Sequence, residues 1–119
     1  MLKPLSSLYE VGLLDEILVY VRIHKTEGIS QDFKEVVTVC DKELLGKTLK
    51  EGDVSLVVNE EFFGGFLATI DEAMHYVRNA QVAVLVGTVS VSRAINEGLV
   101  HPDAVLRINE TPYAQVMKL

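Results

Sequence analysis

The stretch Thr69–Gly98, TIDEAMHYVRNAQVAVLVGTVSVSRAINEG, decides the fold class. Thr69 with Glu72 three residues on forms a capping box, and Ile70, Ala73, Met74 and Val77 follow at helical spacing. The pattern predicts a helix over Ile70 to about Asn79. Val82–Val86 is a short run rich in β-branched residues and reads as a buried strand. Thr88 or Ser90 is then placed to cap a second helix, with Val91, Ala94, Ile95 and Leu99 as its inner stripe and Gly98 as its stop.

Working outward, Ile17–His24 alternates Ile17, Val19, Val21 and Ile23 on one face, and Glu35–Cys40 repeats the β-branched character. The polar segment Lys25–Asp32 between them reads as a long hairpin tip. Asp41 is placed to cap a helical turn over Lys42–Leu45. Gly46 and Gly52 mark turns, Val54–Val58 a short strand, Gly64-Gly65 a bend and Phe66–Ala68 another extended piece. After His101-Pro102-Asp103, a turn, Ala104–Ile108 and Tyr113–Leu119 are strands separated by a turn over Asn109–Pro112. Residues 1–15 carry Leu5, Leu8, Val11 and Leu14 and read as an N-terminal arm or short helix, leaving residues 16–119 as one domain. Strands on either side of two helices give an α+β two-layer sandwich, a mixed or mostly antiparallel sheet with two main helices on one face. The alternative is an α/β parallel βαβαβ core built from Val54–Val58, Val82–Val86 and Ala104–Ile108.

The chain of 119 residues carries a net charge of −6, which excludes broad binding to bare nucleic acid because phosphates demand clustered Lys and Arg. A hydrophobic fraction of 49% is ample for so small a core, and the surplus leads to the expectation of a homodimer that would cover it. The single cysteine, Cys40, rules out an internal disulfide and fits a reducing compartment. The start MLKPLSSLYEVGLLDE has no leader pattern and the longest apolar run is far too short to span a bilayer. These features read as a soluble cytoplasmic protein with no membrane partner. The Asn109-Glu110-Thr111 acceptor pattern therefore carries no weight.

Gly46-Lys47-Thr48 invites a phosphate-loop reading, but that loop needs glycine where Asp41 stands, and a carboxylate there repels phosphate. A turn with an exposed lysine is the better reading, with local anion contact by Lys47 and Thr48 as the functional one. Cys40 at a strand end is a candidate nucleophile, with His24 opposite it in the hairpin and Glu61 as a carboxylate partner, yet Asp41 opposes a thiolate. His24, His75 and His101 share no ligand spacing, so no metal and no cofactor is expected. The pair Glu60 and Glu61 reads as a solvated surface, and Gly64-Gly65 as a place for close approach by a ligand or partner.

Asp41, Leu44-Leu45-Gly46-Lys47-Thr48, Glu51-Gly52, Glu61-Phe62-Phe63-Gly64-Gly65, Val86-Gly87, Ala94-Ile95, Gly98-Leu99-Val100 and Pro112-Tyr113-Ala114-Gln115 form an ordered set. That set resembles the archaeal family called domain of unknown function 424, from about Ile17 to the C-terminus. The resemblance implies a compact cytoplasmic α/β two-layer protein, loosely associated with translation genes and without an assigned activity. Relatives carry histidine where Tyr113 stands and asparagine where Val84 stands, so this chain lacks two polar groups of the family pattern. The expected function is a non-enzymatic binding module for a protein or ribonucleoprotein, its contact surface including Lys47, Thr48, Glu51, Phe62, Gly64, Gly65 and Gln115. The alternatives are a small enzyme around Cys40, Glu61 and His24, and a structural subunit of an oligomer.

Overall fold

The structure is a computed structural model, and residues 17–26 and 34–118 are described. The N-terminal arm expected over residues 1–15 and residues 27–32 of the expected hairpin tip lie outside these residues, while Lys25 and Thr26 belong to β1. Strands β1 (Leu18–Thr26), β2 (Lys34–Asp41), β5 (Phe66–Thr69), β6 (Val82–Val86), β7 (Leu106–Ile108) and β8 (Thr111–Met117) form one sheet. Its order is β5-β1-β2-β6-β8-β7. β2 and β6 run parallel, and every other neighbouring pair is antiparallel. The sheet is therefore mixed. The parallel βαβαβ alternative fails because β4 (Val54–Val57) pairs with β3 (Thr48–Glu51) in a separate hairpin, and β7 pairs with β8.

Helices α2 (Ile70–Asn79) and α3 (Thr88–Asn96) cover one face. Alternation along the strands sends Val19, Val21, Val37, Val39, Ala83, Leu85 and Ala114 into that layer, against Ala73, Met74, Val77, Val91 and Ala94. The α2 boundaries and its capping box are those the sequence predicts: Thr69 Oγ1 accepts from the Glu72 amide and the Glu72 carboxylate accepts from the Thr69 amide. Ion pairs Arg78–Glu97 and Arg93–Asp71 join α2 to α3 on the outside.

The α3 cap differs from expectation. Gly87 occupies the cap position, and the carboxylate of buried Asp41 accepts from the Val89 amide (2.9 Å), the Ser90 amide (2.8 Å) and the Ser90 hydroxyl (2.7 Å). An acidic side chain from the end of β2 thus satisfies two of the helix's free amides and complements its dipole. Asp41 makes no side-chain cap for the 3-10 turn Lys42–Leu44 that follows it. Gly87 has φ +116°, and a Cβ there would overlap the Asp41 carboxylate.

Among the described residues, the opposite face is covered only in part. Cys40, Leu44, Leu49, Val58, Phe63, Val84, Val86 and Ile108 form a smaller core under the β3–β4 hairpin and the one-turn helix α1 (Glu60–Phe63). β4 is the short strand expected at Val54–Val58, whereas β3 and α1 escape the sequence reading. β3 lies between the Gly46 and Gly52 turns, and α1 is a turn too short to show periodicity. β1 runs to Thr26, further than the alternation indicates, and the expected strand 104–108 begins as a 3-10 turn over Pro102–Ala104. Asn109 and Glu110, both at positive φ (52° and 70°), make the two-residue turn between β7 and β8, so the last strand starts at Thr111.

Candidate functional site

The site grows from α1. Asn59 caps it by accepting from the Phe62 amide (2.7 Å), which starts a turn where the sequence shows only two glutamates and two phenylalanines. The turn puts Phe63 into the smaller core, 2% exposed, and leaves Phe62 on the surface at 36%. A single turn has carbonyls with no partner of its own, and side chains on the second face of the sheet take them up. The Phe62 carbonyl accepts from the Thr38 hydroxyl (2.8 Å) and from His24 Nε2 (2.9 Å). A carbonyl only accepts, so the Nε2 of His24 carries the proton. The Gly64 carbonyl accepts from Arg22 Nη1 (2.9 Å). The Phe62 ring also stacks on His24, with centroids 5.0 Å apart.

Gly64 and Gly65 allow close approach, and the approach is internal. A Cβ on Gly64 would stand 2.6 Å from the Glu60 carbonyl, and one on Gly65 would overlap the Val21 carbonyl. These glycines let α1 return onto β1. Beside them Tyr20, Arg22, Leu45, Glu60, Gly64 and Gly65 line an open cleft of about 230 Å³. Tyr20, Arg22, Leu45 and Glu60 are missed by the sequence reading. Their signal is the second periodicity of β1, in which Tyr20, Arg22 and His24 alternate with the apolar Val19, Val21 and Ile23.

The remaining expected site residues are spread over the same side of the molecule. Lys47 and Thr48 are exposed at the entry to β3. Glu51 accepts from the Asn109 amide (2.5 Å), which ties the hairpin to the β7–β8 turn. Gln115 donates to the Tyr113 hydroxyl (2.8 Å) and lines a separate cleft of about 160 Å³ with Ala104, Leu106, Tyr113 and Ala114. Strand register places Val84 beside Gln115 and Val86 beside Tyr113. Val84 and Tyr113 therefore flank Gln115 on one face.

The arrangement of Cys40, Glu61 and His24 that the alternative enzyme reading requires is not assembled. Register sets Cys40 opposite Tyr20 and His24 opposite Val36, four residues along the strand and roughly 13 Å away. Glu61 is exposed on α1. Cys40 is fully buried, and burial, followed by the charges of Asp41 and Glu43, pushes its thiol up to about 12. At neutral pH it is a protonated packing residue whose Sγ–H donates to the Asp41 carbonyl (3.1 Å). Among the described residues no group of His, Cys, Asp and Glu could hold a metal ion, and no helix is long and apolar enough to cross a membrane.

The family model described as "Protein of unknown function (DUF424)" matches residues 29–119. The chain belongs to the DUF424 family. Its fold is similar to that in the "Crystal structure of an uncharacterized conserved protein from Methanopyrus kandleri", at 24% identity and a TM-score of 0.66. That likeness covers 86% of this chain and 94% of the other, and it speaks to fold alone. No curated protein matches. Several residues that carry the DUF424 resemblance have structural duties here: Asp41 and Gly87 build the α3 cap, Gly46, Gly52 and Gly98 take positive φ, and the Pro112 carbonyl accepts from the Gly87 amide (2.9 Å). Once these are set apart, the exposed polar and aromatic groups beside α1 and on β8 are left as the surface available for contact.

Proposed function

We propose that this DUF424 protein is a non-enzymatic binding module, docking to a protein or ribonucleoprotein through the sheet face opposite its helices. One observation carries the reading. Phe62 is an exposed aromatic ring on a turn held by Thr38, His24 and Arg22, so a large contact group is presented at little cost in side-chain freedom. Cys40, the strongest nucleophile candidate, is buried and protonated, which supports binding over covalent catalysis. A cytoplasmic translation component is the concrete partner, on the context that the family resemblance supplies. With a net charge of −6, contact to basic protein surface is favoured over contact to bare RNA.

Affinity capture from native archaeal lysate, with and without RNase, tests this. Ribosomal proteins or translation factors are expected in the wild-type capture and reduced in that of Phe62→Ala. Recovering none in either condition overturns the translation reading. A second reading, self-association, is favoured by apolar exposure at both sheet edges: Phe66 and Leu67 on β5, and Leu106 on β7. Light scattering that returns a 13.2 kDa monomer removes it.

A further inference from the structure

The cleft beside α1 is lined by two opposite charges that form no ion pair with each other. Arg22 spends Nη1 on the Gly64 carbonyl, and a guanidinium has five N–H donors in a planar fork suited to a carboxylate. Glu60 is exposed on the first turn of α1 and only accepts. The ion pairs among the described residues lie elsewhere, Arg78–Glu97, Arg93–Asp71, Arg93–Glu97 and His101–Asp103, so Arg22 and Glu60 face the same space without closing on one another. Tyr20 adds a hydroxyl and Leu45 an apolar wall, while Gly64 and Gly65 leave the backbone bare of side chains.

A ligand complementary to this set carries a negative and a positive group close together and has no net charge. The protein's own charge of −6 repels a nucleotide or a polycarboxylate but not a zwitterion. A cleft of about 230 Å³ is also smaller than the ~300 Å³ at which drug-sized pockets begin. We infer that this cleft binds a free α-amino acid as its zwitterion. Arg22 and the Tyr20 hydroxyl receive the carboxylate, Glu60 receives the ammonium group, and the side chain lies along Leu45. This goes beyond the docking surface proposed above, since it needs no macromolecular partner and either reading can fail alone.

The test is an amide-resolved NMR titration of the full chain with glycine, leucine, phenylalanine, glutamate and lysine. The expected result is saturable shifts at Tyr20, Arg22, Glu60, Gly64 and Gly65 for at least one of them below ~10 mM. The N-acetyl and the carboxamide derivatives of the best binder, each missing one charge, should bind at least about tenfold more weakly. Glu60→Gln, on an exposed position that leaves the Arg22–Gly64 contact in place, should weaken binding by a similar factor with an unchanged spectrum elsewhere. Arg22→Lys keeps the charge but loses the fork and should weaken it as well. No shift at these amides by ~10 mM, equal binding of the blocked derivatives, or equal shifts with inorganic phosphate alone would each overturn the inference.

Discussion

The two faces of the sheet are held by different means. Under α2 and α3 the layer is made of aliphatic side chains in periodic order, and Asp41, the single buried carboxylate among the described residues, sits at a helix end that needs it. On the other side, α1 and the β3–β4 hairpin rest on a smaller core and on individual hydrogen bonds from strand side chains to turn carbonyls. Neighbouring residues show the contrast: Asp41 points beneath α3, and Cys40 points into the layer under the hairpin. A face stabilised by area resists single changes outside its core. A face stabilised by a few polar contacts can be altered locally, which suits a binding surface.

The largest test of this contrast is Asp41→Ala. It removes three hydrogen bonds at once and leaves the Val89 and Ser90 amides without their acceptor at a buried helix start. A loss of about 3 kcal/mol in global stability is expected from urea unfolding. Ser90→Ala removes only the hydroxyl bond and should cost about 1 kcal/mol. If Asp41→Ala costs no more than Ser90→Ala, the carboxylate is not what anchors α3 to the sheet.

The same contrast explains what could be read from the sequence. The helical face was legible because Ile70, Ala73, Met74 and Val77 repeat at 3.6 residues and the strands beneath alternate at two. The other face was not, because β3 and α1 have four residues each, too few for any period to appear. Local pattern assigns Asp41 as a cap to the adjacent turn Lys42–Leu45, where its side chain makes no cap. The helix it caps begins 47 positions further on, at Thr88, a distance local pattern cannot bridge. Gly64-Gly65 reads as a point of close approach by a ligand or partner; what approaches in the structure is the chain's own backbone, Val21 of β1 at Gly65 and Glu60 of α1 at Gly64. The cleft residues Tyr20 and Arg22 were hidden inside a strand read for its apolar face alone.

A smaller effect, confined to the second face, is expected from Thr38→Val. The substitution is close in shape and removes the hydroxyl that donates to the Phe62 carbonyl, while His24 still donates to the same oxygen. Global stability should fall by about 1 kcal/mol or less. Hydrogen exchange should show the difference between the faces more clearly. The Phe63 and Gly64 amides, bonded to Asn59 and Glu60 carbonyls within α1, should exchange faster, while those of α2 stay unchanged. Uniform acceleration across both helices would mean that α1 is not a separable local unit.

The smallest effect at neutral pH belongs to Cys40, and it emerges only in alkali. Burial keeps its thiol protonated to about 12, against 9.0 for an unburied thiol. The unfolded chain therefore releases this proton first as the pH rises. The contribution is fully present below 9.0 and is lost progressively between there and about 12. Unfolding curves of wild type and Cys40→Ala should run parallel from pH 6 to 8, displaced by the lost packing of the sulfur. Above pH 9.0 the wild-type curve should fall more steeply, and the comparison cancels the tyrosines that titrate in both. The native thiol should also resist iodoacetamide at pH 8 and react once urea has opened the hairpin side. Rapid alkylation of the folded protein at that pH would show that the smaller core opens readily, and would return Cys40 to consideration as a reactive group.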